Sequence, residues 1–113
     1  YNFESISKTV SVWARTTTDA DTLRRKDLLR DKTKIVGDFF YQMGLSPAEI
    51  TPLDIEEWTG YLEARGLSSA TVYSYISKLS SFYKWAGITQ LFGATTVNPV
   101  TLARPKAPKA YNK

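Results

Sequence analysis

Apolar residues recur along this chain at the spacing of helices rather than strands. In GLSSATVYSYISKLSSFYKWAG, residues 66–87, Val72, Tyr75, Ile76, Leu79, Phe82, Tyr83 and Ala86 fall in one arc at ~100° per residue. Ala70, Thr71, Ser74, Ser77, Lys78, Ser81 and Trp85 fall on the other side, which carries no acid. Ser68 is the expected N-cap of this helix, and Leu67 with Val72 has the spacing of a hydrophobic staple.

Three further helices are expected upstream. One covers about residues 4–15, where Ile6, Val10 and Trp13 repeat at helical spacing. The next covers about residues 19–43, with Thr18 as N-cap and Asp21 as its capping-box partner. Its Leu28, Leu29, Ile35, Val36, Phe39, Phe40 and Met43 share an arc, with Lys26, Arg30, Thr33, Lys34 and Gly37 opposite. Asp27, Asp31 and Asp38 form a separate stripe, placed to pair with neighbours one turn away. The third helix has the clearest start: Thr51 as N-cap, Pro52 at N1, Asp54 at N3, and Ile50 with Ile55 as a staple. Ile55, Trp58, Thr59 and Leu62 then face inward, and Glu56, Glu57 and Glu63 outward.

Gly44, Gly66 and Gly87 each follow a helical pattern and suit the left-handed residue that ends a helix. The loops between the second, third and fourth helices are short, so those neighbours are expected to pack antiparallel. A short fifth helix is expected near residues 88–92. No stretch alternates at period two, so the fold class is all-α, a bundle of four or five helices. After Asn98-Pro99 the pattern breaks, and RPKAPKAYNK reads as an extended, basic linker. The expected division is a helical domain over 1–100 and a linker over 101–113. Tyr rather than Met at position 1 fits a piece of a longer chain.

With 113 residues the chain is long enough for one domain. It has no Cys and no His, which excludes disulfides, thiolate metal sites and the commonest general base. No cofactor and no metal are expected. No apolar run reaches the length of a membrane span and no secretory signal is visible, so a cytoplasmic location is expected.

Net charge is +4, and its distribution says more than its size. Residues 22–43 hold six bases and three acids, and residues 44–66 hold one base and five acids. Residues 67–100 hold Lys78 and Lys84 without an acid, and 101–113 hold Arg104, Lys106, Lys109 and Lys113 without one. Such segregation builds a basic surface of the kind that meets a polyanion.

Lys26, Arg30 and Lys34, at i, i+4 spacing, read either as a phosphate-tracking ridge or as a surface helix with ordinary ion pairs. Thr71, Ser74, Lys78 and Ser81 form a small, hydroxylated, mildly basic face. Such a face allows close approach to DNA, with hydroxyls for phosphate oxygens or base edges. The plainer reading is a solvated face, although serine is a mediocre helix former. Lys106 and Lys109 either wrap a polyanion or solubilise a tail. Glu56 and Glu57, adjacent on a helix, diverge by ~100° and do not form a catalytic pair.

The string ITPLDIEEWTGYLEARGLSSATVYSYISKLSSFYKWAG, followed by NPV and RPKAPK, resembles the N-terminal core-binding domain of the tyrosine recombinases, the phage-integrase family. Upstream, KIVGDFFYQMG is similar to the family's preceding Phe-rich helix, and the likeness spans about residues 22–110. Where the family often has Thr near the start of that helix, this chain has Leu28 or Leu29.

The resemblance implies a SAM-like helical bundle forming one half of a clamp around duplex DNA. Two helices would face the major groove: the one with Lys26, Arg30 and Lys34, and the one with Thr71, Ser74, Tyr75 and Lys78. Tyr75 lies at the edge of its apolar arc, where core and DNA contact are both open. The family's chemistry, attack of a tyrosine on a phosphodiester assisted by arginines, a lysine and histidines, belongs to a second domain. The chain is therefore expected not to be an enzyme by itself. Its expected partners are duplex DNA, that catalytic domain and other recombinase protomers. The rival reading is a helical protein-interaction module with Trp13 and Trp85 as contact points.

Overall fold

The computed structural model describes residues 1–18, 22–89 and 98–103. Those residues form five α-helices and one 3₁₀ turn, and no strand is present among them. The helices are α1 (Phe3–Thr17), α2 (Thr22–Met43), α3 (Pro52–Ala64), α4 (Ser69–Thr89) and α5 (Pro99–Ala103), with the 3₁₀ turn at Pro47–Glu49. The all-α expectation holds. None of the described helices is long and apolar enough to cross a membrane. The contacts divide the chain into two compact units, Tyr1–Glu49 and Ile50–Lys113.

The first unit is an α1–α2 hairpin with a 3₁₀ appendage. Asn2 caps α1 by accepting from the Ser5 N–H at 3.2 Å. At the Thr-rich end of α1, Thr17 donates its hydroxyl to the Trp13 carbonyl at 2.7 Å. Start meets end along the pair. Tyr1 donates to the Phe40 carbonyl at 3.0 Å, Phe3 meets Tyr41 edge to face at 5.3 Å, and Arg25 donates to the Arg15 carbonyl at 3.1 Å. The two helices thus run antiparallel, burying Ile6, Val10, Trp13 and Ala14 of α1 and Val36, Phe39 and Phe40 of α2. Leu28, Leu29, Ile35 and Met43, expected in the same arc, keep part of their surface.

Thr18 does not cap α2. It is the extended C-cap of α1 (φ −96°, ψ 112°), its N–H donates to the Ala14 carbonyl, and α2 starts at Thr22. Asp21, its expected partner, lies outside the described residues. Gly37 is covered rather than exposed on the polar side, yet a Cβ there would meet nothing within 4 Å. Gly44 ends α2 with φ 64°, as expected. Beyond it, Glu49 accepts from both the N–H and the hydroxyl of Ser46, at 3.0 and 2.8 Å, which closes the 3₁₀ turn. Those two hydrogen bonds hold the Glu49 carboxyl below its ordinary pKa.

In the second unit α3 packs on α4 and α5, and α5 also packs on α4. The start of α3 is a capping box: the Asp54 N–H donates to Thr51 Oγ1 at 3.4 Å, and the Thr51 N–H donates to Asp54 Oδ2 at 2.8 Å. Gly66, at φ 86°, takes the left-handed position beyond α3. Ser68 then caps α4 by accepting from the Thr71 N–H at 3.2 Å. Ile50, Ile55, Trp58 and Leu62 are buried, as are Val72, Ile76, Leu79, Phe82, Tyr83 and Ala86 of α4. Thr59, expected inward, is half-buried and donates to the Ile55 carbonyl at 2.8 Å.

Two expectations fail at the C-terminal side. Gly87 does not end α4, which continues to Thr89, and Gly87 has no positive φ. Buried Ala86 and Tyr83 anchor that turn against the core, and a glycine permits a stop without imposing one. Residues 88 and 89 thus belong to α4, and the rest of the short helix expected there lies outside the described residues. The helical pattern, expected to break after Asn98-Pro99, continues there, and RPKAPKAYNK, expected to be extended, lies outside the described residues. Pro99–Ala103 is helical, with Pro99 and Val100 buried. Asn98 is the reason. Its Oδ1 accepts from the Val100 N–H at 3.0 Å, and its Nδ2 donates to the Ser80 hydroxyl at 3.1 Å and the Ser80 carbonyl at 3.4 Å.

Candidate nucleic-acid interface

In the first unit, α2 brings Lys26, Arg30 and Lys34 onto one exposed face, each one turn from the next. The sheltered side of the helix carries Val36, Phe39 and Phe40, so packing against α1 sets the direction of the cations. Arg30 donates to Asp27 Oδ1 at 3.2 Å, and both side chains are mostly exposed. A pair in that setting contributes about 0–1 kcal/mol and gives way readily to a stronger anion. Lys26 and Lys34 form no ion pair among the described residues. Thr33, on the same side, turns its hydroxyl back to the Leu29 carbonyl at 2.8 Å and is a weaker candidate donor. Lys32 faces elsewhere: its Nζ lies 5.3 Å from the Trp13 ring and donates to Thr17 Oγ1 at 3.3 Å.

In the second unit, α4 carries the hydroxylated face. Thr71, Ser74 and Lys78 are half-buried and Ser81 is exposed. The residues interlock. Ser68 donates to Thr71 Oγ1 at 2.9 Å, and Lys78 Nζ donates to Ser74 Oγ at 2.8 Å. Lys78 is therefore held along its helix with two of its three ammonium protons left for another acceptor. Tyr75 is half-buried, its ring stacked against that of buried Trp58 at 6.4 Å with 29° between planes. That contact turns the aromatic body toward α3.

Sequence reasoning passed over Lys84. It is exposed one turn beyond Ser81, and the i, i+3 spacing was the signal available. No acid stands anywhere on α4. Lys106 and Lys109 lie outside the described residues.

The contact points of the rival reading fare differently. Trp13 is fully buried, at 0% exposure, and offers nothing to a partner. Trp85 is half-buried, tilted against Phe82 at 6.1 Å.

The electrostatics favour anions over acid–base chemistry. The Tyr83 pKa is raised, by burial first and by the Asp54 charge second, but the residue belongs to the core. The α2 and α4 faces can offer fixed positive charge and hydroxyl donors. No family model, curated protein or solved structure matches the chain.

Proposed function

We propose that this chain binds duplex DNA as the N-terminal clamp domain of a site-specific tyrosine recombinase. In this reading it takes part in DNA integration and recombination and is not catalytic by itself. The observation that carries the reading is the α4 face: Thr71, Ser74, Lys78 and Ser81 on a helix without an acid, with Lys78 secured by Ser74 at 2.8 Å. A solvated helix face has no need of that composition, whereas a phosphate backbone is met by it directly. Lys26, Arg30 and Lys34 on α2 add phosphate contacts from the first unit, and Lys106 and Lys109 add them from the tail. Tyr75 contributes its hydroxyl edge while its ring rests on Trp58. Binding is sequence-specific or semi-specific, according to which α4 hydroxyls reach base edges. The C-terminal catalytic domain of the parent chain and other protomers on the same DNA complete the assembly, which places the protein on cytoplasmic DNA.

The test is a titration of labelled duplex followed by fluorescence anisotropy across a salt series. With about five phosphates neutralised, log K falls against log salt with a slope near −4 to −5. A flat salt response would overturn the reading.

A further inference from the structure

α3 turns one side outward. Opposite buried Ile55 and Leu62, the residues Leu53, Glu57, Gly60 and Ala64 follow one another at helical spacing and are all exposed, Leu53 by 74%. Glu56 and Glu63 flank that line and are exposed as well. None of the three carboxylates has an ion pair or a hydrogen bond among the described residues. A Cβ at Gly60 would meet nothing within 4 Å, so another chain can come close there. A large exposed aliphatic side chain beside uncompensated acids fits an occupant that is basic and brings an apolar group of its own.

α2 carries that chemistry. At ~100° per residue Lys26, Arg30, Lys34 and Tyr41 lie within an arc of ~80°. All four are exposed, Tyr41 by 66%, and the Phe3 ring meets Tyr41 edge to face at 5.3 Å. The registers of the two helices agree. Lys34 and Arg30 stand 7 and 11 residues before Tyr41, and Gly60 and Ala64 stand 7 and 11 residues after Leu53. Laid antiparallel with Tyr41 on Leu53, α2 therefore brings Lys34 opposite Gly60, within one turn of Glu57 and Glu63. Arg30 comes opposite Ala64, beside Glu63, and the acid stripe of α2 falls on the flank of exposed Arg65.

We infer that two copies of this chain associate head to tail, α2 of one lying antiparallel on the outward side of α3 of the other. The contact joins two different faces, so it does not close on itself, and each copy keeps one face for a further neighbour. A helix of 13 residues is only ~20 Å long, which keeps the buried area below the ~1,200 Å² of stable complexes and makes the association weak. The docking itself needs no nucleic acid. Duplex phosphates would compete for the same Arg30 and Lys34, a consequence that rests on the DNA reading.

The chain has no cysteine, so Gln42→Cys, beside Tyr41, accepts a single nitroxide. Nitroxide-bearing ¹⁴N chain is mixed with unlabelled ¹⁵N chain at low salt and without DNA. The amide signals of Leu53, Glu56 and Glu57 in the ¹⁵N chain are expected to broaden, and those of Ala64 and Arg65 at the far end of α3 to stay sharp. The broadening should vanish at 1 M salt, where the screening length is ~3 Å. Two variants with exposed substitutions separate the faces: Arg30→Gln with Lys34→Gln, and Glu57→Gln with Glu63→Gln. Each should sediment as a monomer alone, and their mixture should form pairs and nothing larger. Undiminished α3 signals, broadening centred on Ala64 and Arg65, or a mixture that stays monomeric would each overturn the docking. No duplex is present in either measurement, so such a failure leaves the DNA reading to its own salt series.

Discussion

Lys78 donates to Ser74 Oγ at 2.8 Å, one helical turn back, so the cation of α4 is held by the hydroxyl beside it. Ser74→Ala removes the tether and leaves the charge, whereas Lys78→Glu reverses the charge. In the DNA reading Lys78→Glu weakens binding to every duplex about equally and lowers the salt slope by about 1. Ser74→Ala keeps the slope and costs affinity or alters sequence preference. Anisotropy titrations of both variants at several salt concentrations check this, and an unchanged slope in Lys78→Glu would remove Lys78 from the interface.

Thr51 accepts the Asp54 N–H while Asp54 accepts from the Thr51 N–H. Thr51→Ala breaks that reciprocal cap and is expected to cost about 1 kcal/mol. Urea unfolding followed by circular dichroism measures it, and a loss below about 0.3 kcal/mol would show the cap to be redundant with the burial of Ile50 and Ile55.

Two glycines should respond oppositely to the same substitution. Gly66 sits at φ 86°, where a side chain is strained, so Gly66→Ala is expected to destabilise by about 1 kcal/mol. Gly87 lies inside α4, and a Cβ there would meet nothing within 4 Å. Gly87→Ala should therefore stabilise by about 0.5–1 kcal/mol. Paired thermal melts read the signs, and destabilisation in Gly87→Ala would contradict the continuous helix.

Trp13 is fully enclosed in the first unit. Trp13→Ala opens a cavity there and is expected to cost about 3–5 kcal/mol. Amide hydrogen exchange across residues 3–17 and 24–43 follows the loss, and retained protection in α1 would show that the indole is dispensable.

Burial holds the Tyr83 hydroxyl well above the ordinary tyrosine value of about 10. Below pH 10 the phenol is neutral in both folded and unfolded chains, and its contribution to stability is constant. Above pH 10 only the unfolded chain releases that proton, so stability falls as pH rises. Tyr83→Phe should flatten the fall above pH 10 by one proton's worth of slope. Denaturant midpoints between pH 8 and 11 test it, and identical slopes in both proteins would show that the phenol ionises freely in the folded chain.

Much of the helical framework was legible because its signals are local. Thr51-Pro52 with Asp54 writes a helix start into four residues, and periodic apolar residues marked the core of α4. The failures arose where distant packing decides. Gly87 looked like a stop until buried Ala86 and Tyr83 carried the helix past it. Thr18 could cap on either side, and the backbone used it to close α1. α5 spans five residues, too few for a period to show, and its start depends on Ser80, 18 positions earlier. At the candidate interface, the i, i+4 spacing of Lys26, Arg30 and Lys34 was visible in the sequence, as was that of Ser74 and Lys78. The stacking of Tyr75 on Trp58 was not, because it joins two helices.

Asn98 fastens the first turn of α5 to the middle of α4 through Ser80. The seat of α5 is thereby decoupled from the length of chain that leads into it. Insertions between residues 90 and 97 should leave the departure point of the basic tail where it is, and the span available to that tail is counted from Ala103 whatever precedes it.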